Sequence, residues 1–112
     1  MPWAQLIWRK PDGSEVAFPL SAQTIDVGRD PACAIQMDAP LVSRHHARIA
    51  RRGEHYVVTD LESTNCTRVN GDVIEERELE HGDAICFARE QCIFLVSEDV
   101  RAQREPPIAK TE

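Results

Sequence analysis

The amino-acid sequence predicts an all-β fold: a sandwich of two antiparallel sheets, followed by a short polar C-terminal tail. Three observations lead to this prediction. Apolar residues recur at every second position, turn-forming residues interrupt the chain at short intervals, and no segment before residue 98 has the apolar spacing of an amphipathic helix. A chain of 112 residues needs only one hydrophobic core, so we expect a single domain over residues 1–97 and a tail or linker over 98–112.

The first half of the chain predicts strands separated by turns. Val16, Phe18 and Leu20 alternate with residues of smaller or more polar type, as half-buried strands require. Glycine-containing turns follow at Pro11-Asp12-Gly13 and Arg52-Gly53. The predicted strands of this half are 3–8, 15–20, 24–27, 35–38, 46–51 and 55–60.

The second half continues the same pattern. Asn70-Gly71 is a two-residue hairpin signal, because both residues tolerate a positive φ angle. The segment from Asp72 to Asp83 contains six acids and one arginine, and no strand is predicted in it. The predicted strands are 67–69, 84–88 and 91–97, and residues 98–105 predict a short helix that ends before Pro106-Pro107.

Composition disfavours several classes of protein. The formal net charge of −6 argues against a nucleic-acid-binding protein, which needs a broad basic surface. No apolar run is long enough to span a bilayer, and no export signal precedes the domain, so a cytoplasmic protein without membrane contact is expected. The four cysteines lack zinc-site spacing, and we therefore expect reduced thiols, no metal and no cofactor.

Polar residues cluster at three places where the strand pattern breaks. These places are Gly28-Arg29-Asp30, Ser43-Arg44-His45-His46 and Ser63-Thr64-Asn65-Cys66-Thr67. They supply guanidinium groups, hydroxyls and an amide at strand ends, where binding residues usually lie. Those groups are suited to holding an anion together with the peptide backbone around it.

The order and spacing of these motifs resemble a forkhead-associated (FHA) domain. The resemblance is carried by Gly28-Arg29, by Ser43-Arg44-His45-His46 and by the run from Asp60 to Gly71, DLESTNCTRVNG, with a further similarity at His81-Gly82-Asp83-Ala84-Ile85. It covers about residues 3–97. It implies a two-sheet sandwich that binds phosphothreonine in partner proteins, acts as a signalling adaptor and has no enzyme activity.

The resemblance also implies a role for each residue. Arg29 and Ser43 would contact the phosphate, Arg44 and Thr64 would lie at its edge, and Asn65 would bind the main chain of the peptide. Gly28 and His46 would support the loops. The segment 38–42 would border the peptide downstream of the phosphothreonine, and the uncharged Leu41 and Val42 favour an uncharged or apolar residue there.

One position departs from the family pattern, because Cys66 stands where the family usually has glycine. If the backbone there has a positive φ, cysteine costs about 1 kcal/mol or more, and the loop that carries Asn65 could shift. Impaired binding is therefore an open alternative. So is a phosphate-independent interaction or dimerisation through a face or edge of the sandwich.

Other uses of these residues are less well supported. Ser43 and His46 could form a nucleophile and base, but no carboxylate is placed by sequence to orient the histidine. His45 and His46 are neighbours on a strand and point to opposite faces, so they can hardly share a metal ion. Arg29 alone could form a surface ion pair with Asp26 or Asp30. The partner is expected to be a phosphothreonine protein, and the domain to form part of a larger multidomain protein.

Overall fold

The computed structural model describes residues 4–96, which form eleven β-strands and no helix. The all-β prediction is therefore confirmed for these residues. The expected boundary at residue 97 and the helix predicted over 98–105 lie outside the described residues. The strands are β1 (Ala4–Arg9), β2 (Glu15–Pro19), β3 (Thr24–Gly28), β4 (Ile35–Gln36), β5 (Ala47–Arg52), β6 (His55–Asp60), β7 (Thr67–Val69), β8 (Asp72–Ile74), β9 (Glu76–Leu79), β10 (Ala84–Phe87) and β11 (Glu90–Val96).

The strands form two sheets. One has six strands in the order β2-β1-β11-β10-β7-β8, and the other has five in the order β4-β3-β5-β6-β9. Neighbouring strands are antiparallel except β3 and β4, which pair in parallel with Val27 opposite Ile35. This short parallel pair differs from the expected wholly antiparallel arrangement. It arises because the chain crosses over after Gly28 instead of turning back through a hairpin.

The core lies between the sheets and is built from the alternating apolar positions. Leu6, Ile49, Val58, Phe87 and Phe94 are completely or almost completely buried. They come from strands of both sheets, so each sheet contributes one face to the core. All four cysteines are free, and the described residues contain no helix of the length and hydrophobicity needed to cross a bilayer.

Strands β8 and β9 are the elements that the sequence analysis missed. Both are edge strands, and only Ile74 and Leu79 are buried in them. Acidic residues are poor strand formers in general, but at an edge their side chains can face solvent and form ion pairs. Glu76 lies 3.1 Å from Arg52, and Glu78 lies 2.7 Å from His55.

The two ends of the sandwich differ. At one end, the backbone N–H of Ala88 in the β10–β11 turn donates to the carbonyl of Cys66 in the β6–β7 loop. Strand β11 runs away from this end, and its last residue, Val96, is paired with Ala4 at the other end. The loops with the predicted binding residues are therefore at the end opposite to Ala4 and Val96.

Candidate functional site

Three loops from distant parts of the chain meet at one end of the sandwich. The loop after β3 carries Arg29, the loop before β5 carries Ser43, and the β6–β7 loop carries Thr64 and Asn65. Hydrogen bonds join them: Arg29 N–H donates to Ser43 O at 2.9 Å, and Thr64 N–H donates to Ser43 Oγ at 3.1 Å. Asn65 Nδ2 donates to Leu41 O at 2.8 Å. The structure thus brings the predicted binding residues together.

Arg29 is exposed, and the two terminal nitrogens of its guanidinium are available to a ligand. Its Nε donates to Val42 O at 3.0 Å, which fixes the inner end of the guanidinium. Its two acidic neighbours are engaged elsewhere, because Asp26 binds Arg48 at 2.8 Å and Asp30 lies near Arg44 and His45. Within residues 4–96, Arg29 has no ion-pair partner, so the expected alternative of an Arg29–Asp pair is not formed there.

The Ser43 hydroxyl is oriented by the loop opposite. Because Oγ accepts from the Thr64 backbone, its own proton remains available to a ligand. Thr64 is exposed at the rim of the site. The Arg44 side chain is also exposed, and its Nη2 is 3.8 Å from Asp30, which places a second guanidinium at the edge of the site.

Gly28 is required by a close backbone approach. A β-carbon at this position would lie 2.1 Å from the carbonyl oxygen of Arg44, which is far inside van der Waals contact. Its neighbouring atoms therefore exclude any side chain. The close approach lets the backbone N–H groups of Arg29 and Asp30 donate to the carbonyls of Ser43 and Arg44, which joins the two loops.

His46 is fully buried and connects two loops. Its Nδ1 lies 3.0 Å from the backbone N of Ser43, which can only donate, so Nδ1 is the acceptor. The proton is therefore on Nε2, which donates to Cys66 O at 3.0 Å. The ring also packs edge-on against Phe87, with 5.8 Å between centroids. His46 therefore connects the backbone of Ser43 with that of Cys66, and its side chain is fully buried.

Asp60 organises the β6–β7 loop and was not singled out by the sequence analysis. It accepts hydrogen bonds from the backbone N and Oγ of Ser63, at 3.0 and 2.5 Å, and from Thr67 Oγ1 at 2.7 Å. Burial raises the pKa of Asp60, but these hydrogen bonds outweigh it and hold the pKa below its usual value. The spacing of aspartate and serine three residues apart at a strand end was the available signal.

Cys66 has the left-handed backbone expected of the missing glycine, with a φ of 72°. The condition under which the sequence analysis expected a steric cost, a positive φ at this position, is therefore met. The loop makes three hydrogen bonds around this position: Asn65 Nδ2 donates to Leu41 O, and the Cys66 carbonyl accepts from His46 Nε2 and from the Ala88 backbone N–H. These hydrogen bonds hold the cysteine in the strained conformation.

The segment that was expected to border the peptide divides into two parts. Val42 is buried in the core, whereas the Leu41 side chain is 42% exposed. Only Leu41 can contact a ligand from this pair. The expectation of an uncharged neighbour to the phosphothreonine now depends on Leu41 alone.

Comparison with known proteins identifies the family. The model of the FHA domain matches residues 25–88, which is more than half of the chain. The chain belongs to the FHA domain family. The match spans all three loops of the site, from Arg29 to Cys66.

Relatives of this FHA domain include proteins of different sizes. The oxoglutarate dehydrogenase inhibitor of Corynebacterium jeikeium is 34% identical over 82% of this chain and 64% of its own length. Human proliferation marker protein Ki-67 is 42% identical over 61% of this chain and 2% of its own length. The chain thus spans less than two thirds of the length of these relatives.

Solved structures of FHA domains have the same fold. Mycobacterium tuberculosis EmbR in complex with a low-affinity phosphopeptide is 33% identical, with a TM-score of 0.77 over 85% of this chain and 24% of the EmbR chain. A domain from a structural and functional analysis of phosphothreonine-dependent FHA interactions is 27% identical. Its TM-score is 0.76 over 83% of this chain and 95% of its own.

Proposed function

We propose that this FHA domain binds phosphothreonine in partner proteins, as a signalling adaptor, through Arg29 and Ser43. The observation that carries the proposal is the exposed Arg29 guanidinium, which has no ion-pair partner in residues 4–96 and is fixed beside Ser43. A phosphate ester carries nearly two negative charges and three strong acceptor oxygens. An arginine fork and a hydroxyl donor match those oxygens.

The remaining predicted residues fit around this pair. Arg44 and Thr64 lie at the rim, where they can contact outer phosphate oxygens. Asn65 uses one amide hydrogen on Leu41 O, which leaves its other hydrogen and its carbonyl oxygen for the main chain of a bound peptide. Gly28 and His46 support the site from below, without contacting the ligand.

Binding is better supported than catalysis. FHA domains are binding modules. One related structure comes from a study of phosphothreonine-dependent FHA interactions, and another, EmbR, was solved in complex with a phosphopeptide. His46 Nδ1 accepts from the Ser43 backbone, not from its hydroxyl, and Nε2 is engaged by Cys66. Neither ring nitrogen can therefore act as a base toward Ser43 Oγ in this arrangement.

The proposal extends to the setting of the domain. We propose that the domain is one module of a larger protein. Its relatives include a transcriptional regulator and an enzyme inhibitor, and it matches only a small fraction of Ki-67. A cytoplasmic location with a phosphothreonine protein as partner follows from the same proposal. No cofactor, metal, nucleic acid or membrane is needed for this function.

The decisive experiment is calorimetry with one peptide in three forms: phosphothreonine, phosphoserine and unmodified. We expect binding of the phosphothreonine form, weaker binding of phosphoserine by about 1–3 kcal/mol for the missing methyl group, and none for the unmodified form. Arg29→Ala should cost about 2–5 kcal/mol of binding, and Ser43→Ala about 1.5–3 kcal/mol.

Arg52→Ala is the matched control, because it removes an exposed arginine near the opposite end of β5. It should leave the affinity unchanged. Equal binding of the modified and unmodified peptides, or an unchanged affinity in Arg29→Ala, would refute phosphate recognition. The phosphate-independent interaction or dimerisation sandwich would then be the better account.

A further inference from the structure

The outward sides of the two sheets differ in character. The five-stranded sheet carries ion pairs there, with Arg48 2.8 Å from Asp26 and Arg52 3.1 Å from Glu76. On the six-stranded sheet, the residues that alternate with the core positions are mostly apolar, and they are half-buried or exposed. We call this surface the apolar face, and its central residues are Ile7, Ala17, Ala84, Cys86, Ile93 and Leu95.

A groove of about 350 Å³ lies in the apolar face. Ile7 in β1 and Ile93 in β11 are paired residues that line it, and Ala84 in β10 is the neighbour of Ile93 on the other side. A large side chain therefore lies on one side of β11 and a small one on the other. The face thus has both a protrusion and the space to receive one.

The charged residues of this face lie on either side of β11. Glu15 in β2 and Arg68 in β7 belong to one row of paired residues across the sheet. Each lies two strands from β11, which is about 10 Å. Arg9 contacts only Oε2 of Glu15, which leaves Oε1 available. Arg68 is exposed and has no ion-pair partner in residues 4–96, so the row offers a carboxylate on one side and a guanidinium on the other.

We infer that the apolar face binds a second copy of the chain, related by a two-fold axis that runs along β11. Rotation about this axis exchanges the two sides of the sheet, so Glu15 of one copy faces Arg68 of the other, and Ile7 faces Ala84. Ile93 lies on the axis and meets its own counterpart. Sheets that pack face to face are about 10 Å apart, a distance that glutamate and arginine side chains together can span.

Charge favours this face over the rest of the surface for self-association. The chain has a net charge of −6, and six acids lie between Asp72 and Asp83, so two copies repel each other at that edge. At the outward positions of the described strands of the six-stranded sheet, Glu15 is the one acid, beside Arg9 and Arg68. Because the axis follows the strands, both sets of phosphate-binding loops lie at the same end of the dimer. The inference itself does not depend on phosphate binding.

Sedimentation equilibrium of the full chain, without peptide, tests the association from micromolar to millimolar concentration. We expect a weak dimer with a Kd on the order of 100 µM, because one small apolar face must offset the entropy lost on association. Ile93→Asp should raise this Kd by about tenfold or more, since it places two carboxylates together in the apolar contact.

A charge exchange tests the geometry of the dimer. Arg68→Glu should raise the Kd by about fivefold, because the new carboxylate faces Glu15 of the other copy. Adding Glu15→Arg should restore most of the association, and both positions are exposed, so the fold is kept. Arg52→Glu is the matched control, since it makes the same charge change on the outward side of the five-stranded sheet. It should leave the Kd unchanged.

Three results would overturn the inference. One is a chain that stays monomeric at millimolar concentration. Another is a dimer that persists unchanged in Ile93→Asp and Arg68→Glu, because another surface then joins the copies. The third is a failure of Glu15→Arg to restore association in the Arg68→Glu background, which would exclude the axis along β11. Calorimetry with the phosphothreonine peptide tests the proposed function separately, so the two proposals can fail independently.

Discussion

Replacing His46 by alanine separates the residues that build the site from those that bind the ligand. The substitution removes the acceptor of the Ser43 backbone N–H, which costs about 1–3 kcal/mol for an unsatisfied donor. It also leaves a cavity beside Phe87, against which the fully buried His46 ring packs. This cavity should lower the free energy of unfolding by about 1–2 kcal/mol more. The Cys66 carbonyl loses less, because it still accepts from Ala88.

Together these effects should lower the free energy of unfolding by about 3 kcal/mol. At roughly 4 °C per kcal/mol for a domain of this size, the melting temperature should fall by about 12 °C. Thermal unfolding followed by circular dichroism measures it. Arg29→Ala is the comparison, since the Arg29 side chain is exposed and has no ion-pair partner among the described residues, so its removal should change the melting temperature by about 2 °C or less. His46→Asn should recover about 1 kcal/mol, because its side-chain oxygen can again accept from Ser43 N–H.

The result that would refute this reasoning is a reversed order of the two alanine variants. If Arg29→Ala melts lower than His46→Ala, Arg29 is a structural residue and His46 is not the link between the loops. Equal stability of His46→Ala and His46→Asn would show that packing against Phe87, and not the Ser43 hydrogen bond, makes the larger contribution.

Two further predictions concern the β6–β7 loop. Cys66→Gly should raise the free energy of unfolding by up to about 1 kcal/mol, because glycine has no steric cost at a positive φ. Calorimetry with the phosphothreonine peptide should show an affinity that differs from the wild type by less than about twofold. A large gain in affinity would mean that the cysteine does displace the loop. Because the pKa of Asp60 is lowered in the folded state, its contribution to stability is present above the ordinary carboxyl pKa, near 4, and is lost as the pH falls below that value. Denaturant unfolding at a series of acidic pH values measures this. The free energy of unfolding of Asp60→Asn should fall less steeply with decreasing pH than that of the wild type, and the same pH dependence in both proteins would contradict this role.

Most of the fold could be predicted because period-two alternation marks a strand that has one buried face. Strand β6 has the predicted bounds, and Asn70 and Gly71 have the positive φ angles that their hairpin requires. Strands β8 and β9 escaped because an edge strand can keep most of its side chains in solvent, so its sequence resembles a charged loop. The parallel β3–β4 pair escaped because partner choice depends on contacts distant in sequence.

The sequence motifs propose which residues belong to the site, but they do not give the hydrogen bonds and ion pairs that connect its loops. The motifs identified Arg29, Ser43 and Asn65, and the structure brings them together. Arg29 has no ion-pair partner in residues 4–96, and this depends on the contact between β5 and β3 in which Arg48 pairs with Asp26. The role of Asp60 likewise depends on three hydrogen bonds that form only when the loop has closed on itself.

The pairing of Ala4 with Val96 has a mechanical consequence. The chain enters and leaves the sandwich through two adjacent strands, at the end away from Arg29 and Ser43. A domain with neighbouring ends can be spliced into a longer polypeptide without stretching the sequences on either side, and those sequences would emerge on the side away from the ligand. Pulling on both ends would also separate β1 from β11 one residue pair at a time, and the pair farthest from the binding loops would separate first.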